Sequence, residues 1–377
     1  MNRKTLENIF TIVAFLAAAF FVGFASGQIV NYAKEFIVIE IENINNIFWF
    51  AVIFLSIYLV VMIHIIFHEA GHMIGGFITG YRFLYFRIGS TTLVRTDNGF
   101  KIRKLRVPGT GGQCIMVPPE MKDGDYPVVI YHLGGGLLNI ILSLVAIVII
   151  KTCSLNPVAT GYLEIFAIVG IYIGIVNLVP LKVISNDGAN IFNLKNDFEE
   201  RIALHRILND EEDIINCKEV EETSKNIDEV DLSKTFIQGI FVNMMEDRFY
   251  KMEFEEAKFI GEKLLEKAKM NMTFEFMVKT TLSTIYLVEG SVKMAEEFLK
   301  DKKLKKYLKN KDVLHVEILN YAIERILEGR DGEKFRKRIE KMKDKYIYPS
   351  HIKAAFEIME KIDEVADGKV LENNLSL

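Results

Sequence analysis

The sequence predicts an all-α polytopic membrane protein of about four transmembrane helices, carrying a small β-hairpin or sheet insertion and followed by an α-helical soluble domain. Three observations lead there. Up to about residue 195 the chain is dominated by long uncharged runs, whereas beyond it Lys and Glu dominate. Half of the 377 residues are hydrophobic, a quarter are charged and the mean hydropathy is +0.19, a balance that fits a chain divided between lipid and water. Between two of the apolar runs, aromatic and β-branched residues alternate with basic ones, which is a strand pattern. The expected domains are therefore 1–195, transmembrane, and 196–377, helical.

The expected spans are about 9–30, 47–79, 128–150 and 163–181, since about 20 apolar residues cross a ~30 Å hydrocarbon core. Backbone in lipid must satisfy its own hydrogen bonds, so each run reads as a helix. The first, behind Arg3 and Lys4, competes with a signal peptide, but 22 uncharged residues exceed the usual signal core. Basic residues set orientation. Arg82, Arg87, Arg95, Lys101, Arg103, Lys104, Arg106 and Lys122 crowd the loop after the second run, whereas the other two short loops hold only Lys34 and Lys151. With four spans, the N-terminus, this loop and the C-terminal half fall on one side. That predicts a multi-pass protein, of the cell membrane, with both termini cytoplasmic.

The β-rich loop covers residues 81–117, and "TDNGF" within it is a hairpin signal. An open sheet edge cannot face lipid, so this piece belongs at the interface or against other helices, where its edge can accept a further strand. After about residue 197, "EFEEAKFIGEKLLEKAK" repeats apolar residues at helical spacing. Glu289-Gly290 and Glu328-Gly329 are 39 residues apart, each before a predicted helix, which suggests either a solenoid of the tetratricopeptide kind or a plain helical bundle. The three cysteines are scattered and imply neither disulfides nor a thiolate metal site. A net charge of −4 without a basic, aromatic-laced helix gives no case for nucleic acid.

Chemistry concentrates in "HIIFHEAGHMIGG", residues 64–76. Glu69 is the only Asp, Glu, Lys or Arg between Asn43 and Tyr81, and a lone carboxylate in an apolar helix is costly and usually functional. His68 and His72, four apart, share one helix face and offer two imidazole nitrogens to one ion, with Glu69 beside them as a general base. Such a zinc site lacks one protein ligand. Over Ile9–Val30, Val128–Ile150 and Ile165–Leu181 the other apolar runs lack Asp and Glu, and "VNLVPLKVISNDGANIF", residues 176–192, ends the fourth span with Asp187 beyond Pro180. Asp187 is thus the expected third ligand, its rival role being a helix N-cap. His64, one turn before His68 on the same face, could shuttle protons or bond the metal's ligands, but reads rather as a packing residue, and His132 is similarly ambiguous.

These residues resemble the site-2 proteases, a family of intramembrane zinc metalloproteases. "FHEAGHMIGG" is similar to their HExxH helix, "NLVPLKVISNDG" to their Asn–Pro–Asp-Gly signature, "GGQCIM" to the glycine-pair strand between them, and "LGGGLLNIILSL" to a small-residue span bearing an Asn. The likeness covers about residues 47–195 with the four motifs in order. The Asn-to-Asp spacing is longer than usual, and no PDZ domain fits between the motifs. The resemblance implies Zn²⁺ held by His68, His72 and Asp187, with Glu69 as base. It also makes Asn139 and Asn177 candidates to hold the substrate carbonyl or oxyanion, against a plain helix–helix hydrogen bond. The implied activity is a metalloendopeptidase acting on membrane-embedded peptides or proteins, in regulated intramembrane proteolysis or signal-peptide and pheromone-type processing. Residues 196–377 are then open to a cytoplasmic regulator. The competing expectation is a catalytically silent, peptidase-like scaffold whose helical domain recruits partners. A transporter is weaker, because no inverted repeat of broken helices is visible.

Overall fold

The computed structural model describes residues 46–180, 186–220 and 226–375. The expected first span, about 9–30, lies outside the described residues. Among these the chain is mostly helical with four strands, and three helices are long and apolar enough to cross a membrane. Contacts divide the chain into two units: residues up to Ile88 with Gly111–Asp197, and Gly89–Thr110 with Phe198 onward. The second unit is therefore not a simple C-terminal half, since it takes in a hairpin from the β-rich loop.

In the first unit, α1 spans Asn46–Ile78, and Phe54–Ile78 is its membrane-length part. It presents Ile63, Ile66, Ile74 and Phe77 outward while His64, His68 and His72 are buried. Gly80, in the left-handed region at φ +85°, ends it. There Tyr81 N–H reaches back to Gly76 O at 2.9 Å and Gly80 N–H to Phe77 O at 3.3 Å, the pattern of a Schellman stop. Two strands follow the loop from either end: β1 (Arg82–Ile88) pairs antiparallel with β4 (Gly112–Val117), with an irregularity between Phe83 and Tyr85.

Helix α2 (Val129–Thr152) packs against α1 backbone to backbone. A Cβ on Gly71 would stand 2.2 Å from Gly134 O, and one on Gly134 2.1 Å from Gly71 O. These glycines are the small-residue contacts expected where helices pack without a hydrophobic drive. Helix α3 (Pro157–Leu178) meets α2 at Gly136 and Gly174 in the same way. It starts earlier than the expected 163, because Asn156 caps it through Ala159 N–H and Pro157 occupies the first turn. It ends at Leu178 rather than 181, since the residue before Pro180 is driven out of the helical region. Helix α4 (Asp187–Asn196) closes the unit.

In the second unit, β2 (Thr91–Thr96) and β3 (Gly99–Lys104) form the hairpin announced by "TDNGF", with Gly99 left-handed at φ +92°. The helices are α5 (Phe198–Ile215), α6 (Thr235–Tyr250), α7 (Phe254–Lys267), α8 (Met272–Val288), α9 (Val292–Leu299), α10 (Lys302–Tyr307), α11 (Leu314–Ala322), α12 (Glu333–Met342) and α13 (Pro349–Leu375). Neighbours in sequence pack on each other around one core that includes Phe241, Met245, Leu264, Leu282, Ile318 and Ile358. Glu289-Gly290 and Glu328-Gly329 do recur as helix exits. Both glycines are left-handed, at φ +80° and +63°.

Candidate metal centre

Residues four apart on α1 share a face, so His64, His68 and His72 form a stripe that is 0, 8 and 6% exposed. Asp187 reaches the same place because its neighbour takes the capping role. The Asn186 side-chain oxygen accepts from Ala189 N–H at 3.0 Å, and its Nδ2 donates to the carbonyls of Val176 and Val179 at 2.5 and 2.6 Å. This ties the start of α4 to the end of α3 and leaves Asp187, the first residue of α4, to face the histidines.

The result is a triangle of ligand atoms. Asp187 Oδ2 lies 3.1 Å from His68 Nε2 and 3.4 Å from His72 Nε2, and the two Nε2 atoms are 3.1 Å apart. Ligands on a tetrahedral ion at bond lengths of 2.0–2.2 Å stand about 3.3–3.5 Å from one another, so these edges are close to one face of such a site.

Proton placement determines what the triangle can hold. His72 Nδ1–H donates to Tyr131 O at 2.9 Å, which leaves a lone pair on Nε2. The Asn139 carboxamide bridges His64 Nδ1 at 3.2 Å and His68 Nδ1 at 3.3 Å, its oxygen toward His64, while His64 Nε2 lies 2.8 Å from Phe166 O. In that orientation both nitrogens of the wholly buried His64 would need protons. A half-turn of the amide, which leaves its shape unchanged, keeps His64 neutral and gives the carboxamide oxygen the Nδ1–H of His68. His68 Nε2 then also presents a lone pair. Asp187 Oδ2 is buried without a hydrogen-bond partner. Three lone pairs thus converge with no proton among them, which is costly unless a cation sits there.

Space is provided too. A Cβ on Gly135 of α2 would stand 2.6 Å from His72 Nε2 and 2.7 Å from His68 Nε2, in the room an ion needs. The group His68, His72 and Asp187 can therefore hold a metal ion.

Glu69 follows His68 on α1, and its side chain lies against β4. Strand β4 lies close over it: a Cβ on Gly112 would be 2.8 Å from Glu69 Cγ. Tyr131 Oη–H donates to Cys114 O at 2.8 Å, and the buried Arg87 donates through Nη2 to Gly112 O at 3.2 Å, so the strand is anchored on both sides of that contact.

Comparison with protein-family models, with curated proteins and with solved structures returns no match.

Of the expected site residues, His68, His72 and Asp187 come together and Glu69 stands beside them. Asn139 is wholly buried between His64 and His68. Asn177 donates to Ile173 O at 2.9 Å, one turn back in its own helix, with no hydrogen bond to the triangle. His132 is buried with its Nε2 unpartnered. Three contributors were not singled out from sequence: Gly135, Tyr131 and Asn186. A glycine run and an Asn before Asp were visible signals, but neither shows which member faces the ion or takes the cap.

Proposed function

We propose that this chain is an intramembrane zinc metalloendopeptidase that hydrolyses peptide bonds in or near membrane-spanning segments. The observation that carries the reading is the proton-free triangle of His68, His72 and Asp187 with Glu69 one residue from its first ligand, on a helix of membrane length. Two imidazoles and a carboxylate in near-tetrahedral arrangement suit Zn²⁺ better than the oxygen-seeking Ca²⁺ or Mg²⁺. Such an ion supplies Lewis acidity that makes water a nucleophile near neutral pH.

The residues would divide the work as follows. Glu69 takes the proton of the attacking water and passes it to the leaving amine. An extended substrate adds to the strands of residues 81–117, because a helical peptide has no backbone groups to spare and must unwind before attack. The resemblance to site-2 proteases supports the same reading. Both termini on the cytoplasmic side, and a regulator docking on the helices after residue 198, arranged as in tetratricopeptide repeats, belong to this proposal.

The test is Glu69→Gln against wild type, with membrane-peptide proteomics and metal analysis. General-base loss should reduce processing by at least about a hundredfold while zinc stays at one per chain. A silent scaffold would show the same peptides in both strains, and that result would reject the proposal.

A further inference from the structure

Apart from the metal centre, the second unit holds a cavity of about 520 Å³ that the proposed chemistry does not use. Its walls come from the end of the hairpin and the chain beyond it, the residues before α11, and the last turn of α12 with the segment after it. Lys104 N–H donates to Lys345 O at 2.5 Å, Ile347 N–H donates to Lys104 O at 3.2 Å, and Arg103 donates to Asp344 O, so the two walls are joined by backbone. The mouth carries a tight turn, Val107-Pro108-Gly109-Thr110, with Gly109 at φ +88° and Thr110 N–H directed to Val107 O at 3.5 Å. Proline then glycine at the centre is the chemistry of a type II turn.

The lining is strongly one-signed. Lys104, Arg106, Lys341 and Lys345 face a single carboxylate, Asp312, an excess of three positive charges in a chain whose net charge is −4. Arg106, Lys341 and Lys345 have no carboxylate within 4.0 Å among the described residues, whereas Lys258, Lys267, Lys279, Arg325 and Arg336 of the same unit all do. Lys341 complements the C-terminal dipole of α12, which is an ordinary role for a last-turn lysine. Lys104, the last residue of β3, donates through Nζ to Thr91 Oγ1 at 2.7 Å, and the exposed Arg106 follows two residues later. Like charges gathered around one space repel unless an anion neutralises them.

We propose that this cavity binds a phosphate-bearing anion. Phosphate oxygens match the donors of Lys and Arg. The volume lies within the ~300–1,000 Å³ of small-molecule sites, which is too large for phosphate alone and leaves room for an organic part. Ser90, Thr110 and Asn310 add neutral polar groups, and Tyr346 an aromatic wall. A free phosphate ester and an anionic lipid headgroup share this chemistry.

Lysine acetylation footprinting of the full chain in phosphatidylcholine nanodiscs separates the sources. One arm adds AMP or pyrophosphate, and the other replaces a third of the lipid with phosphatidylglycerol. The expected result is at least fivefold protection of Lys341 and Lys345 in one arm, with Lys302 and Lys303, exposed on α10, unprotected. Protection in the soluble arm assigns a free ligand, and protection only in the second assigns a headgroup. Lys341→Ala/Lys345→Ala should weaken the effective ligand at least tenfold, read from protection of Lys104. Absence of protection in both arms, or equal protection of Lys302 and Lys303, overturns the proposal.

Discussion

Gly135 matters because of the side chain it lacks. A Cβ there would fall 2.6–2.7 Å from both imidazole nitrogens of the triangle. Gly135→Ala should therefore leave the helices assembled but empty the centre, with metal per chain below about a tenth of wild type by elemental analysis, since a methyl group would occupy the coordination space. Normal metal content would mean that the ion sits elsewhere. The two histidines differ in how their tautomers are set. His72 is fixed by a backbone carbonyl and His68 by a carboxamide, which in turn leans on His64. The site thus reaches two shells into the helix packing, and Asn139 acts on the metal side of the site through His68.

Among the elements, the start of α4 is the most consequential. Asn186 both caps α4 and holds the last turn of α3 through two carbonyls, so it sets the position of Asp187. Losing a cap costs about 1 kcal/mol, and the orphaned carbonyls add to it. Asn186→Ala should lower metal affinity by roughly tenfold in a chelator competition, equivalent to about 1.4 kcal/mol. Asn156→Ala removes the corresponding cap of α3, which ties nothing to the site, and should leave that affinity unchanged. Equal effects of both substitutions would contradict the positioning role. On β4, glycine serves another purpose: Gly112 lets the strand approach the Glu69 side chain, which a Cβ there would meet at 2.8 Å.

For the molecule as a whole, the first unit carries the candidate metal centre and the second carries buried groups whose titration makes stability depend on pH. In the second, burial and the nearby Glu211 push the Glu246 carboxyl up to about 7, while burial pushes His315 and His351 down to about 4. A folded state that holds the Glu246 proton more tightly than the unfolded chain gains stability below pH ~4.5 and loses it as pH rises through 7. Glu246→Gln should accordingly raise unfolding free energy at pH 8 by on the order of 3 kcal/mol and change little at pH 4. Urea unfolding of the full chain in detergent, followed at both pH values, checks this. The histidines act in the opposite sense, since they are neutral when folded and charge on unfolding below pH ~6.5, so wild-type stability should peak between these limits.

The apolar runs, the spacing of His68, Glu69 and His72, and the Pro180–Asp187 segment were legible because local rules govern them. Helical period, hydropathy and the cost of charge in lipid act on neighbours in sequence. The same holds for the 81–117 strands and their Asn-Gly turn. What local rules could not supply is which of Asn186 and Asp187 caps the helix, which glycine of three faces the ion, and that Asn139 bonds two histidines rather than facing open space. Those are decided by close approach of α1, α2 and α4, chain segments with 50 and 34 residues between them, for which sequence spacing has no metric. The hairpin's grouping with residues beyond 198 is of the same kind, because a strand's partners are chosen by shape and backbone hydrogen bonds formed only once the chain has folded.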